Sequence, residues 1–98
     1  MEIIHLEKDN FKELIGSEKK ILVDFFATWC GPCKMLSPIL EGFESKIKVI
    51  KVDVDDFEGL AREYGVMSIP TLVLIEDGKE VKRNVGLINE DELETFLK

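Results

Sequence analysis

The stretch Ile21–Lys34 has the sequence ILVDFFATWCGPCK and contains the only two cysteines of the chain, Cys30 and Cys33. Its first six residues are nearly all apolar, which predicts a strand covered on both faces. The cysteines follow at the end of this strand, with the second in the first turn of a helix, so that both sulfurs can form and break a disulfide. The unpaired N–H groups and partial positive charge of the helix N-terminus favour a nucleophilic thiolate at Cys30.

Two other uses of the cysteine pair fit less well. A structural disulfide that closes so short a loop stabilises a fold only weakly. A structural zinc site needs four ligands, and beyond the two thiols the chain offers one histidine, His5. We therefore interpret the pair as a redox-active dithiol that requires no metal and no bound cofactor.

The composition indicates one domain that spans residues 1–98. A hydrophobic content of 45% in 98 residues is enough for a core of ordinary size. A net charge of −7 argues against nucleic acid or an anionic membrane as partner. No apolar run is long enough to span a bilayer, and the N-terminus lacks the basic segment of a secretory signal, so we expect a cytoplasmic protein.

The rest of the chain alternates between strand and helix patterns and then ends in a hairpin and a helix. Helices between the first three strands predict parallel strands with right-handed crossovers. Asp77-Gly78 is a strong hairpin signal, so the last two strands should be antiparallel. The expected fold class is α/β, with a mixed sheet flanked by four helices and the cysteines at the carboxyl end of a central strand. The predicted strands are Ile3–Leu6, Ile21–Phe26, Ile47–Val54, Thr71–Ile75 and Glu80–Val85.

The helix boundaries carry local signals. The second helix should run from Cys33 to Ser45 with a kink at Pro38. Gly65 is expected just after the third helix, where a left-handed residue commonly ends a helix. The predicted N-caps are Asp9 or Asn10 for the first helix, Asp55 or Asp56 for the third, and Asn89, with Glu92 completing a capping box, for the fourth.

Five segments follow one another at suitable distances along the chain: Val23–Phe25, Trp29–Lys34, Lys51–Asp53, Ile69–Thr71 and Val85–Gly86. Together they closely resemble the thioredoxin family over nearly the whole chain. The resemblance implies a thioredoxin fold and protein disulfide reduction, with Cys30 as the attacking thiolate and Cys33 as the resolving thiol. Cys30 should be exposed to a partner's disulfide and Cys33 more enclosed.

Four residues around the cysteines are expected to tune the exchange. Pro32 suits the first helical turn because no N–H is needed there, and Gly31 leaves room for a polypeptide backbone. Trp29 and Lys34 complete the motif that resembles the family. Phe26 departs from the pattern, since many thioredoxins have a second tryptophan there.

Asp24 interrupts the apolar strand on the face that it shares with Leu22 and Phe26. Burial should raise its pKa, so that it could act as a general base when Cys33 ionises. The resemblance implies the same role, and it matches Lys51 to the family's lysine on the neighbouring strand, which would hold Asp24 closer to ionised. An aspartate that only bonds backbone groups remains the alternative.

The resemblance also implies that Ile69-Pro70 is a cis-proline segment opposite the cysteines, which offers backbone hydrogen bonds to an extended substrate. Core packing for Trp29 and a strand bend at Gly86 remain open. The expected shallow, partly apolar substrate surface comprises Trp29, Ser68, Ile69, Pro70, Gly86 and Leu87.

The implied partners are disulfide-containing proteins and a separate thioredoxin reductase that restores the dithiol. We expect a monomer with no nucleic-acid or membrane partner. Two other functions stay open at this point. An oxidase or isomerase would use the same fold at a different redox poise, and a binding module would use the surface without turnover.

Overall fold

Nine elements alternate along the chain and build one five-stranded sheet with helices on both faces. A computed structural model describes residues 1–98. The elements are β1 (Ile3–His5), α1 (Phe11–Gly16), β2 (Lys20–Phe26), α2 (Gly31–Gly42), β3 (Lys48–Asp53), α3 (Glu58–Glu63), β4 (Thr71–Glu76), β5 (Lys79–Val85) and α4 (Glu90–Phe96).

The strand order in the sheet is β1-β3-β2-β4-β5, which places β2 in the centre. β3 lies parallel to both β1 and β2, whereas β4 is antiparallel to β2 and to β5. Asp77 and Gly78 both have positive φ, at 51° and 81°, as the tight hairpin turn between β4 and β5 requires. The predicted mixed sheet, with a parallel first half and an antiparallel C-terminal hairpin, is confirmed.

Two hydrophobic layers form because successive side chains of β2 point to opposite faces of the sheet. Ile21, Val23 and Phe25 pack with residues of α1 and α3 in one buried cluster. Leu22 belongs to the cluster on the other face, which includes residues of α2 and α4. Asp24 therefore lies on the α2/α4 face of the sheet. The contributing helix residues are Phe11, Ile15 and Ala61 on the first face and Leu36, Leu40 and Leu93 on the second.

α2 differs from its predicted range of Cys33–Ser45. It begins at Gly31, because Cys30 has an extended backbone and its sulfur accepts the N–H of Cys33 as an N-cap. It ends at Gly42, because Phe43 has an extended backbone. Cys30 does not lie at the end of β2 as expected, since a short loop separates it from the strand.

The capping predictions are confirmed for α4 and for the end of α3. Asn89 and Glu92 form the complete capping box of α4, and Gly65 has a φ of 62° just after α3. Asn10 is the N-cap residue of α1 but forms no side-chain cap bond. The prediction for α3 was wrong, because its N-cap is Phe57 rather than Asp55 or Asp56.

Candidate active site

The two cysteines form a disulfide at the N-terminus of α2. Their Cα atoms are 5.2 Å apart, within the usual range for such a bond. The backbone N–H of Cys33 donates to Cys30 Sγ at 3.2 Å. Pro32 lies in the first turn, where its missing N–H costs no helical hydrogen bond. The helix start thus directs an N–H donor toward the first sulfur, where it can stabilise negative charge.

Both cysteines are buried, which contradicts the expectation that Cys30 is exposed. Cys30 is 4% exposed and Cys33 is 2% exposed. Ile69 packs against the pair, and its carbonyl oxygen lies 3.8 Å from Cys30 Sγ. Ile69 belongs to a loop that is distant in sequence, so the cysteine motif itself did not predict the burial of Cys30.

The covering loop contains the cis peptide bond between Ile69 and Pro70, as the resemblance implied. Thr71 Oγ1 donates to the carbonyl of Ser68 at 2.6 Å, and the Gly86 N–H donates to the carbonyl of Pro70 at 2.8 Å. Gly86 has a φ of 99°, which favours glycine, so the bend after β5 and the contact with the loop occur together. These bonds fix the loop beside the disulfide.

Asp24 is a fully buried carboxyl group without a hydrogen-bond partner on either oxygen. The alternative of a carboxylate that only bonds backbone groups is therefore wrong. Burial raises the pKa of Asp24 from 3.8 to about 6, and the charge of Lys51 opposes this rise. A carboxyl group of this kind can accept and release a proton near neutral pH.

Lys51 pairs with Asp24 in the strand register but forms no hydrogen bond with it. Its ammonium group donates to Ser37 Oγ at 2.6 Å and lies 4.4 Å from the centre of the Phe26 ring. Ser37 Oγ also contacts the carbonyl oxygen of Cys33 at 3.4 Å. Sequence analysis missed Ser37, although its position one helical turn after Cys33 places it on the same helix face.

Four of the six large apolar side chains that are exposed lie on the loops and the helix around the disulfide, whereas the other two, Val81 and Val85, lie on β5. We call the first four the apolar ring. Core packing of Trp29 is ruled out, because its side chain is 68% exposed and its indole N–H donates to Asp55 Oδ2 at 2.8 Å. Sequence analysis named Asp55 only as a possible helix cap, and it missed the bond of Asp55 to Trp29 and the two methionines of the ring. The ring consists of Trp29 and Leu87, which were predicted, and of Met35 and Met67.

Neither of the two main cavities is lined by the cysteines or by the loop that covers them. One of these cavities, about 640 Å³ in volume, lies between residues near the start of α1 and of α3. A flat, partly apolar surface suits a macromolecular partner better than a small molecule. No group of three or more His, Cys, Asp or Glu side chains could hold a metal ion, and no helix is long and apolar enough to cross a membrane.

Comparisons with known proteins point to the same family as the geometry. The family model for thioredoxin matches residues 2–98. The chain is 51% identical over 88 residues to a thioredoxin of Chlamydia caviae, which covers 87% of this chain and 85% of that protein. An alignment of 102 positions with a thioredoxin of Porphyra purpurea is 41% identical and covers 99% of this chain and 95% of that protein.

Solved structures agree with this likeness. A mutant thioredoxin from Halobacterium salinarum has a TM-score of 0.92 and 38% identity, with 98% of this chain and 88% of that chain covered. The oxidised thioredoxin of Plasmodium falciparum has a TM-score of 0.85 and 30% identity, with 97% and 94% covered.

Proposed function

The chain belongs to the thioredoxin family and is a thiol–disulfide oxidoreductase, and from this premise we propose how its residues divide the reaction. The observation that carries the proposal is the Cys30–Cys33 disulfide at a helix N-terminus, on the same side of the sheet as a buried and unpartnered Asp24. In the reduced protein, Cys30 attacks a disulfide of a target protein. A bond forms between Cys30 Sγ and one substrate sulfur, and the other substrate sulfur leaves as a thiolate.

The second step resolves this mixed disulfide. The Cys33 thiol gives its proton to Asp24, and the thiolate attacks Cys30 Sγ. The remaining substrate sulfur leaves and is protonated, so that two electrons have passed from the dithiol to the substrate. The product is the Cys30–Cys33 disulfide that the structure contains. A thioredoxin reductase then restores the dithiol.

Lys51 and the covering loop support these steps. The Lys51 charge limits how far burial raises the pKa of Asp24. The backbone of Ser68–Pro70 offers hydrogen bonds to an extended substrate segment, and the apolar ring supplies contact area. Gly31 and Pro32 give that segment access to Cys30, and Lys34 follows the pair on an exposed turn.

The proposed division of labour is tested by trapping. Cys33→Ser should accumulate a covalent adduct with a disulfide-bonded target protein, and Cys30→Ser should not. The reverse pattern would exchange the two roles. Asp24→Asn should slow turnover near neutral pH while the protein stays folded, and an unchanged rate would remove Asp24 from the mechanism.

The direction of electron flow is tested by the reduction potential of the pair. A value of about −270 mV, the general value for thioredoxins, fits a reductant. A value of about −180 to −120 mV would instead indicate an isomerase or an oxidase. A pair that does not titrate reversibly would indicate a binding module.

The proposal also includes the working state of the protein, which is a monomeric single domain in the cytoplasm. One chain covers both hydrophobic layers of its own sheet, and its radius of gyration of 12.1 Å is close to the value of about 13 Å for a compact domain of 100 residues. A reducing compartment keeps a dithiol donor in its active form. Light scattering and cell fractionation test these two points.

A further inference from the structure

We propose that Ser37 is a positioning residue, whose hydroxyl group holds the Lys51 ammonium away from hydrogen-bond contact with Asp24. The inference rests on the proposed role of Asp24 in proton transfer. It assigns Ser37 the task of keeping the carboxylate free of a direct ion pair, so that its oxygens remain available for the proton of Cys33.

The contacts of Lys51 carry the argument. Its ammonium group has a short hydrogen bond to Ser37 Oγ, at 2.6 Å, and a cation–π contact with Phe26, at 4.4 Å from the ring centre. These two contacts account for the position of the charge beside the strand face that carries Asp24. The carboxylate lies directly opposite Lys51 in the strand pairing and nevertheless has no donor on either oxygen.

This arrangement is unusual in physical terms, because a buried carboxylate ordinarily takes a hydrogen bond from any donor within reach. A direct bond from Lys51 would stabilise the ionised form and lower the pKa of Asp24. The Ser37 hydroxyl accepts one of the three ammonium hydrogens and so fixes where the ammonium group lies. It also contacts the Cys33 carbonyl at 3.4 Å, which ties the position of Lys51 to the helix that carries the resolving cysteine.

Other charges have little access to Asp24. Lys51 is the one charged side chain that contributes to its pKa beside burial. On the sheet face that carries Asp24, His5 of β1 pairs with Lys51 and is exposed. Cys33 of α2 is held in the disulfide in the oxidised protein. The other charged side chains on this face of β2 to β5, and those on α2 and α4, lie toward solvent or at the strand ends: Lys20, Asp53, Glu76, Lys79, Lys82, Lys34, Glu41, Glu90, Asp91, Glu92 and Glu94.

The test is the titration of the Asp24 carboxyl carbon by NMR in the oxidised protein, where the cysteines do not titrate. Ser37→Ala removes the acceptor, so the ammonium should move to Asp24 and lower the titration midpoint by about 1 pH unit. Ser37→Thr keeps a hydroxyl group at this position and should therefore have the same midpoint as the parent protein. An unchanged or raised midpoint in Ser37→Ala would overturn the proposal.

Two further variants separate positioning from a general effect of losing a serine. Ser45→Ala, a matched control, removes a hydroxyl that accepts the Ile47 N–H on another part of the chain, and it should leave the midpoint unchanged. In a Lys51→Met background, Ser37→Ala should have no effect, because no ammonium group remains to be moved. A full effect there would also overturn the proposal. This titration does not depend on turnover, so failure of the general-base role of Asp24 would be seen separately in the kinetics of Asp24→Asn.

Discussion

The buried carboxyl group of Asp24 makes the folded protein less stable once it ionises. Its folded-state pKa of about 6 lies above the ordinary value of 3.8, so the protonated form is favoured in the folded protein. The stability that this group contributes is therefore complete below pH 3.8 and is lost as the pH rises through 6. Above that pH, the buried carboxylate costs about 2 to 3 kcal/mol.

Asp24→Asn should remove this pH dependence, because an amide does not ionise. The free energy of unfolding of the variant, relative to the parent, should rise by about 2 to 3 kcal/mol between pH 4 and pH 8. Urea unfolding of both oxidised proteins at several pH values measures the difference, in which the other titrating groups cancel. A difference that does not change with pH would contradict the raised pKa.

The hydrogen bond from Trp29 to Asp55 predicts a fixed orientation for an exposed indole ring. Asp55→Ala should lower the fluorescence anisotropy of Trp29, the only tryptophan, and should lower kcat/KM for a protein disulfide by about 2- to 5-fold. Asp56→Ala removes a neighbouring carboxylate with no bond to the indole and is the matched control. Equal effects of the two substitutions would show that charge, rather than the hydrogen bond, is responsible.

Single residues also show where prediction from sequence stops. Asp24 was found because a charged residue inside an apolar run is visible without the structure. The burial of Cys30 and the contact between Ser37 and Lys51 were not found, because each depends on a partner from another element. Met67 was also missed, because nothing in the sequence distinguishes an exposed methionine from one in the core.

The N-cap residues of α1 and α4 allow the stabilising effect of a cap hydrogen bond to be compared. Both are asparagines, but only Asn89 forms a side-chain bond, to the N–H of Glu92 at 2.8 Å, whereas Asn10 forms none. Asn89→Ala should therefore lower the free energy of unfolding by about 1 kcal/mol, and Asn10→Ala should change it by much less. Denaturant unfolding compares the two. Equal losses would show that backbone preference, not the cap bond, sets the effect.

Hydrogen-bond partners that are close in sequence explain which elements were predicted correctly. The capping box of α4 and the Asp77-Gly78 turn use partners within a few residues, and both are confirmed. The start of α3 was misplaced in part because one of the two predicted caps has another partner: Asp55 accepts the Trp29 indole N–H. Local signals fail where a tertiary contact competes for the same side chain.

The sheet topology brings together three segments of the site that are distant in sequence. Phe25 pairs with Thr71, and Thr71 pairs with Val85. The end of β2, the start of β4 and the end of β5 therefore lie side by side at one edge of the sheet. This brings the cysteine motif, the cis-proline loop and Gly86 together. Composition and periodicity predicted the strands, but the resemblance to the family was needed to place these segments opposite one another.

The distribution of exposed apolar side chains over the molecule predicts where protein substrates bind. Met67 is 95% exposed and belongs to the apolar ring, whereas Val81, 48% exposed, lies on β5 outside it. Because a charge at the docking surface must be desolvated, Met67→Glu should lower kcat/KM for a protein disulfide by about 5- to 30-fold, which corresponds to about 1 to 2 kcal/mol. Val81→Glu introduces the same charge elsewhere and should have little effect. For a small aromatic disulfide, which needs the Cys30/Cys33 pair but little docking surface, both variants should retain the parent rate. Equal losses for Met67→Glu and Val81→Glu would mean that net charge, and not the apolar ring, governs recognition.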